Sequence, residues 1–136
     1  MESNVDAVST SAAPEAIGPY SQATVTGGWV FCSGQVGLDP STGELVAGGV
    51  EEQTRRVFLN LLAVMEAAGG SLADVARCTV YLNSMDDFAK VNEIYASYFT
   101  EPYPARATVE VSRLPKDALV EIDAVAKVGH SRHGLG

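Results

Sequence analysis

The apolar residues Val57, Phe58, Leu61, Leu62, Met65 and Ala68 recur at helical spacing, which gathers their side chains on one side of a helix. That pattern predicts a helix from about Val50 to Ala68, closed by Gly69-Gly70 as a left-handed cap. A second helix is predicted from Ser84, with Asp86 and Asp87 in its positively polarised first turn and Phe88, Val91, Tyr95 and Tyr98 as its core face. Strand patterns surround the two helices. Gln22–Thr26 and Trp29–Ser33 flank Gly27-Gly28, whose freedom at positive φ suits a tight hairpin turn. Val75–Leu82 is a buried strand, and Asp39-Pro-Ser-Thr-Gly43 is a turn. Ala107–Ser112 and Leu119–Lys127 are joined through Arg113-Leu-Pro-Lys-Asp117. The order strand–strand, helix, strand, helix, strand–strand makes this an α+β chain in which two amphipathic helices cover one face of a single sheet. The other face would leave Trp29 and Phe31 in water, and apolar patches of that kind mark association.

A chain of 136 residues suits one domain. Residues 1–13 are small and polar and are expected to be mobile, residues 14–128 form the domain, and residues 129–136 lack periodicity and form a loose tail. The net charge of −8 repels phosphate backbones and disfavours nucleic acid as a general partner, though it leaves room for a small anion beside a local arginine. Cys32 and Cys78 sit inside apolar runs and read as buried free thiols. No His or Cys cluster completes a metal site, and no apolar run approaches the roughly 18 residues of a membrane helix. The N-terminus lacks the basic start and apolar stretch of a secretory leader, so the expectation is a cytoplasmic protein. His130 and His133 both fall in the tail, which leaves histidine-based acid–base catalysis without an ordered donor.

Arg106 opens a strand after Pro104-Ala105. Its planar guanidinium can grip a carboxylate in two places and keeps its charge, although an arginine here can equally be a surface group with a loose ion pair. Glu121 alternates with Val120 and Ile122 and so points away from the side on which they pack; it is either an ordinary solvent-facing carboxylate or a proton carrier. A hairpin of the last two strands would set Arg106 opposite about residue 125, with Glu121 about four residues along at roughly 3.4 Å each, a gap that admits a substrate. Ala16-Ile-Gly-Pro-Tyr20 presents Tyr20 on a fixed bend, either over a ligand or packed on the body. Ser33-Gly34 adds a hydroxyl and a position where backbone can approach a ligand closely, and it carries no phosphate-loop pattern. Asn92 reads as a helix-face amide or a weaker ligand contact.

These segments resemble one family. Ala16-Ile-Gly-Pro-Tyr20, Ser33-Gly-Gln35, Asp87-Phe-Ala-Lys-Val-Asn92, Pro104-Ala-Arg-Ala-Thr-Val-Glu-Val111, Arg113-Leu-Pro-Lys-Asp117 and Val120-Glu-Ile122 are similar, in order and spacing, to the RidA/YjgF family of reactive-intermediate deaminases, from about Ala13 to Val128. The resemblance implies a chorismate-mutase-like fold, a homotrimer with pockets between subunits, and hydrolysis of 2-imino acids to 2-keto acids and ammonia without cofactor or metal. It also implies that Arg106 holds the substrate carboxylate, that Glu121 handles the attacking water, and that Tyr20, Ser33, Gly34, Asn92 and residue 108 line the pocket. Thr108 departs from the Cys found in many relatives; a backbone role survives that change and a thiol role does not. Two other functions fit the family or the residues: an endoribonuclease, and a non-catalytic small-acid-binding or chaperone-like module. Retention of both Arg106 and Glu121 favours catalysis, since binding alone requires only the arginine.

Overall fold

The structure, a computed structural model, describes residues 3–129. Eight regular elements follow one another: β1 (Asp6–Val8), β2 (Ala23–Thr26), β3 (Trp29–Val36), α1 (Gly49–Ala67), β4 (Val75–Leu82), α2 (Phe88–Tyr98), β5 (Ala105–Glu110) and β6 (Val120–Lys127). The strands form one sheet in the order β1-β2-β3-β6-β4-β5, antiparallel except for the β4–β5 pair. The β2–β3 hairpin turns on Gly27 and Gly28, both at positive φ (56° and 82°), as their position predicted. Gly69, at φ 89°, ends α1 in the left-handed conformation. Ser84 caps a short 3-10 turn, Met85–Asp87, that leads into α2.

Both helices pack on one sheet face. α1 buries Val57, Phe58, Leu61, Val64 and Met65, with Val64 taking the place that the spacing gave to the half-buried Leu62. Phe58 is the hub: its ring stacks on Tyr98 at 4.6 Å and meets Tyr95 and Phe99 edge-on at 5.8 and 5.7 Å. Beneath it, β6 contributes Val120, Ile122, Ala124 and Ala126, every second residue and each buried. On the opposite face a smaller cluster of Val36, Leu114 and Ala118, with Leu38, Leu45, Tyr81 and Val111 against it, covers one end of the sheet. The rest of that face leaves Trp29 at 41% and Phe31 at 46% exposure.

The structure differs from the sequence pattern in two places. The last two strands are not a hairpin. β5 pairs in parallel with β4, the helix α2 serving as the crossover, and Arg106 lies opposite Cys78. β6 passes between β3 and β4 because its alternate residues fill the core, while β5, largely exposed, takes the edge. The second difference is the segment up to Ala13, expected to be mobile. It contains β1, paired with β2, and it is fastened by the buried side chain of Gln22. Gln22 Oε1 accepts from Thr10 N at 2.7 Å, and Nε2 donates to the carbonyls of Thr10 and Pro14 at 3.0 and 2.7 Å. Small polar residues concealed this because the amide that satisfies their backbone lies about ten residues downstream. Of the tail, residues 130–136, His130 and His133 included, lie outside the described residues. No helix among the described residues is long and apolar enough to cross a membrane.

Replacing Gln22 by Ala leaves the part-buried carbonyls of Thr10 and Pro14 and the amide of Thr10 without their partner, at a cost of about 1–3 kcal/mol. The expected result is a lower melting temperature together with faster amide exchange confined to residues 6–14. A variant with wild-type exchange there would show that the segment is held by other means.

Candidate active site

Glu121 and its neighbours form one cluster, on the face away from the helices. Register sets Cys32 against Ala124 and Gln35 against Ile122, so Ser33 and Gly34 together stand opposite the single residue Asp123. This β-bulge re-aims the strand where Gly34 meets Glu121. A Cβ on Gly34 would overlap the Glu121 carboxylate, lying 2.9 Å from its Cδ, so the absent side chain is what gives the carboxylate its place. Ser33 Oγ donates to Ser21 O at 2.6 Å and Ser33 N to Gln22 O at 2.9 Å, which ties the bulge to the segment carrying Tyr20. Tyr20 itself is exposed and helps line a cavity of about 550 Å³ with residues of the N-terminal segment.

The Glu121 carboxyl titrates above the ordinary carboxylate range. Partial burial is the larger cause, and the negative charge of Asp123, two residues along on the same strand face, adds to it. Asp123 accepts from Thr79 N and from the Tyr81 hydroxyl, each at 3.1 Å. Asp123 and Tyr81 were not singled out in the sequence, although an acidic residue two positions after Glu121 on an alternating strand has to share its face.

Arg106 belongs to a second cluster, at the β5 edge under α2. Its Nη1 donates to Asn92 Oδ1 at 2.7 Å, and its guanidinium carbon lies over the rings of Tyr95 at 4.7 Å and Phe88 at 5.6 Å. The ion pairs among the described residues are Arg55–Glu52 and Arg113–Asp117, so no carboxylate there neutralises Arg106. A cavity of about 420 Å³ adjoins it, lined by Asn92, Tyr95, Ala96, Tyr103, Pro104 and Arg106. Thr108 follows two residues later on the same strand face, half-buried opposite Val80. Since β5 is an edge, half of its backbone donors and acceptors have no ladder partner within the chain.

One chain does not bring the two clusters together. Arg106 projects to the helix side, with Cys78, and Glu121 to the opposite side, with Tyr81. β6 and β5 are separated by β4, which places them about 10 Å apart across the sheet. No small acid can touch both side chains of the same chain. The cysteines stand apart from both clusters: burial pushes the thiol of Cys32 up to about 12 and that of Cys78 up to about 11, which leaves neither as a thiolate near neutrality. Among the described residues, no three His, Cys, Asp or Glu side chains are grouped to hold a metal ion.

The sequence profile of the family described as Endoribonuclease L-PSP matches residues 10–128. The chain belongs to that family, also known as RidA/YjgF. A RutC family protein of Pyrococcus horikoshii is 56% identical over 121 residues, 89% of this chain and 96% of that one. The human 2-iminobutanoate/2-iminopropanoate deaminase is 47% identical over 122 residues, 90% of this chain and 89% of that protein. Among solved structures, Escherichia coli TdcF with bound serine superposes with a TM-score of 0.85 at 43% identity, over 90% of this chain and 98% of that one.

The elevated titration of Glu121 can be measured directly by carboxyl-carbon NMR. Asp123→Asn removes a nearby negative charge and should bring the Glu121 midpoint down, with the residual elevation owed to burial. An unchanged midpoint would remove Asp123 as a cause.

Proposed function

We propose that the protein hydrolyses small 2-imino acids, of the 2-aminoacrylate and 2-iminobutanoate type, to 2-keto acids and ammonia. We infer further that it does so in clefts of a homotrimer, each cleft joining the Arg106 cluster of one subunit to the Glu121 cluster of the next. The observation that carries the reading is Arg106 itself: a guanidinium held in place at the wall of a cavity with no carboxylate partner among the described residues. The guanidinium is exposed yet held by Asn92 and the Tyr95 ring, and a planar fork fixed in that way fits a planar carboxylate. The division of the two clusters between opposite faces supports assembly, as does the apolar surface at Trp29 and Phe31. The relative named for deamination of 2-iminobutanoate and 2-iminopropanoate supports the substrate class.

The chemistry asks little of the protein. A protonated imine carbon is already electrophilic, so position, a water and a proton acceptor suffice. Arg106 fixes the carboxylate and thereby the adjoining C=N. Glu121, as carboxylate, takes a proton from water as its oxygen bonds to the imine carbon. The resulting carbinolamine receives that proton on nitrogen; the C–N bond then breaks, the hydroxyl loses its proton, and keto acid and ammonia leave. A Glu121 titrating above the normal range is a better acceptor than an exposed glutamate, and it confines activity to pH above that midpoint. In this scheme Tyr20, Ser33 and Gly34 shape the water side of the cleft, and Asn92 and Thr108 shape the carboxylate side. The ribonuclease reading attached to the family description is opposed by the net charge of −8 and by the absence of histidine from residues 3–129.

Three measurements test the proposal. Light scattering at micromolar concentration should return three times the chain mass; a monomer would remove the shared cleft. On enzymatically generated 2-iminobutanoate, Glu121→Gln should keep product binding and lose most turnover, about 10²–10⁴-fold. Arg106→Lys should fail nearly as badly as Arg106→Ala, since a charge without the fork gives up a contact of about 1.5–3 kcal/mol. Both Arg106 variants should melt close to wild type, and near-normal kcat/KM in Arg106→Lys would show that a point charge is enough.

A further inference from the structure

Arg106 is a long side chain on an exposed edge strand, and its orientation needs a cause. α2 supplies one. Phe88, Asn92 and Tyr95 fall on one helix face at intervals of four and three residues, and all three touch the guanidinium. The parallel register that aligns Arg106 with buried Cys78 turns the arginine toward that face. Of the three, Tyr95 is the fixed one. It is 5% exposed, pinned edge-on to Phe58 at 5.8 Å and against Phe99 at 4.8 Å. Its hydroxyl is buried next to the Cys78 thiol, while the contact with Arg106 is made by the ring.

We propose that Tyr95 is the positioning residue of the carboxylate subsite, its ring serving as the shelf that holds the Arg106 fork open toward the cavity while Asn92 fixes the fork's rotation. The inference rests on the reading of Arg106 as a carboxylate clamp. An aromatic face attracts the guanidinium without neutralising it, and an amide oxygen occupies one Nη1 donor. The remaining donors stay available for a bidentate acid. An acidic residue in either place would have bound the arginine more strongly and competed with the substrate. The core thus extends its order to the site: Phe58 holds Tyr95, and Tyr95 holds Arg106.

Tyr95→Leu and Tyr95→Phe, each in the full chain, separate the ring from the hydroxyl. The readouts are KM and kcat on 2-iminobutanoate, the Kd for the product 2-ketobutyrate by calorimetry, and the melting temperature. Loss of the ring should raise KM and Kd about 3- to 30-fold, the range of a cation–π contact, with a smaller change in kcat. Tyr95→Phe should restore both constants to within about twofold of wild type. Where Tyr95→Leu does not fold, Phe88→Leu, on a half-buried position, takes its place and should raise both constants in the same direction by less. A folded leucine variant with wild-type KM and Kd overturns the proposal, as does a phenylalanine variant that fails to restore them. A wild-type protein that binds 2-ketobutyrate in a Tyr95-dependent way without releasing ammonia supports the shelf and overturns the deaminase reading. Wild-type protein that neither binds nor turns over overturns both.

Discussion

The burial of β6 is the constraint on which the rest of the molecule depends. Val120, Ile122, Ala124 and Ala126 lie within a few per cent of complete burial under the helices, so the strand must run through the middle of the sheet with fixed register. A shift by one residue would exchange the two faces and put Glu121 and Asp123 into the core, where unpaired carboxylates are very costly. The same alternation that fills the core therefore presents Glu121 and Asp123 together on the other face. It also sends β5 to the edge, beside β4, and thereby carries Arg106 under α2.

Two local features adapt that scaffold to the candidate site, a bulge at one cluster and an aromatic support at the other. The bulge at Ser33-Gly34 places an extra residue beside the Glu121 carboxylate, whose present position a Cβ at residue 34 would overlap. The hydroxyl of Ser33 and the amide of Gln22 then secure the bulge to the segment bearing Tyr20 and to the N-terminal strand. At the other cluster the adaptation is aromatic. Phe58, Tyr95 and Phe99 are core residues by burial, and one edge of that group becomes the support for a charged side chain. In both clusters the charged side chain is held by parts of the molecule that are fixed by packing.

Electrostatics divides the work between the clusters. Among the described residues the positive charge of Arg106 has no carboxylate partner, whereas Glu121 is partly buried beside a second carboxylate, and both conditions favour its protonated form. In the proposed scheme, an acid at Arg106 and a water at Glu121 call for these opposite tendencies on opposite walls. A carboxylate adjacent to the arginine in the same chain would cancel both.

Local pattern in the sequence determined the two helices, the Gly27-Gly28 hairpin, the strand Val75–Leu82 and the outward aim of Glu121, because each depends on residue spacing within one element. The motifs around Tyr20, Ser33-Gly34, Arg106 and Glu121 marked the residues of interest for the same reason: each is a short stretch with its own geometry. Strand pairing was decided elsewhere. The sequence neighbours β5 and β6 looked like a hairpin, yet their pairing is settled by which strand has enough apolar residues to occupy the centre, a competition among all strands at once. The fastening of residues 6–14 by Gln22 and the support of Arg106 by Tyr95 are likewise contacts between distant segments, the first across about ten residues and the second across a helix and a strand. Chain order carries the chemistry of each side chain, but the faces on which Arg106 and Glu121 emerge follow from the packing of the whole sheet, and only tertiary structure could place them apart.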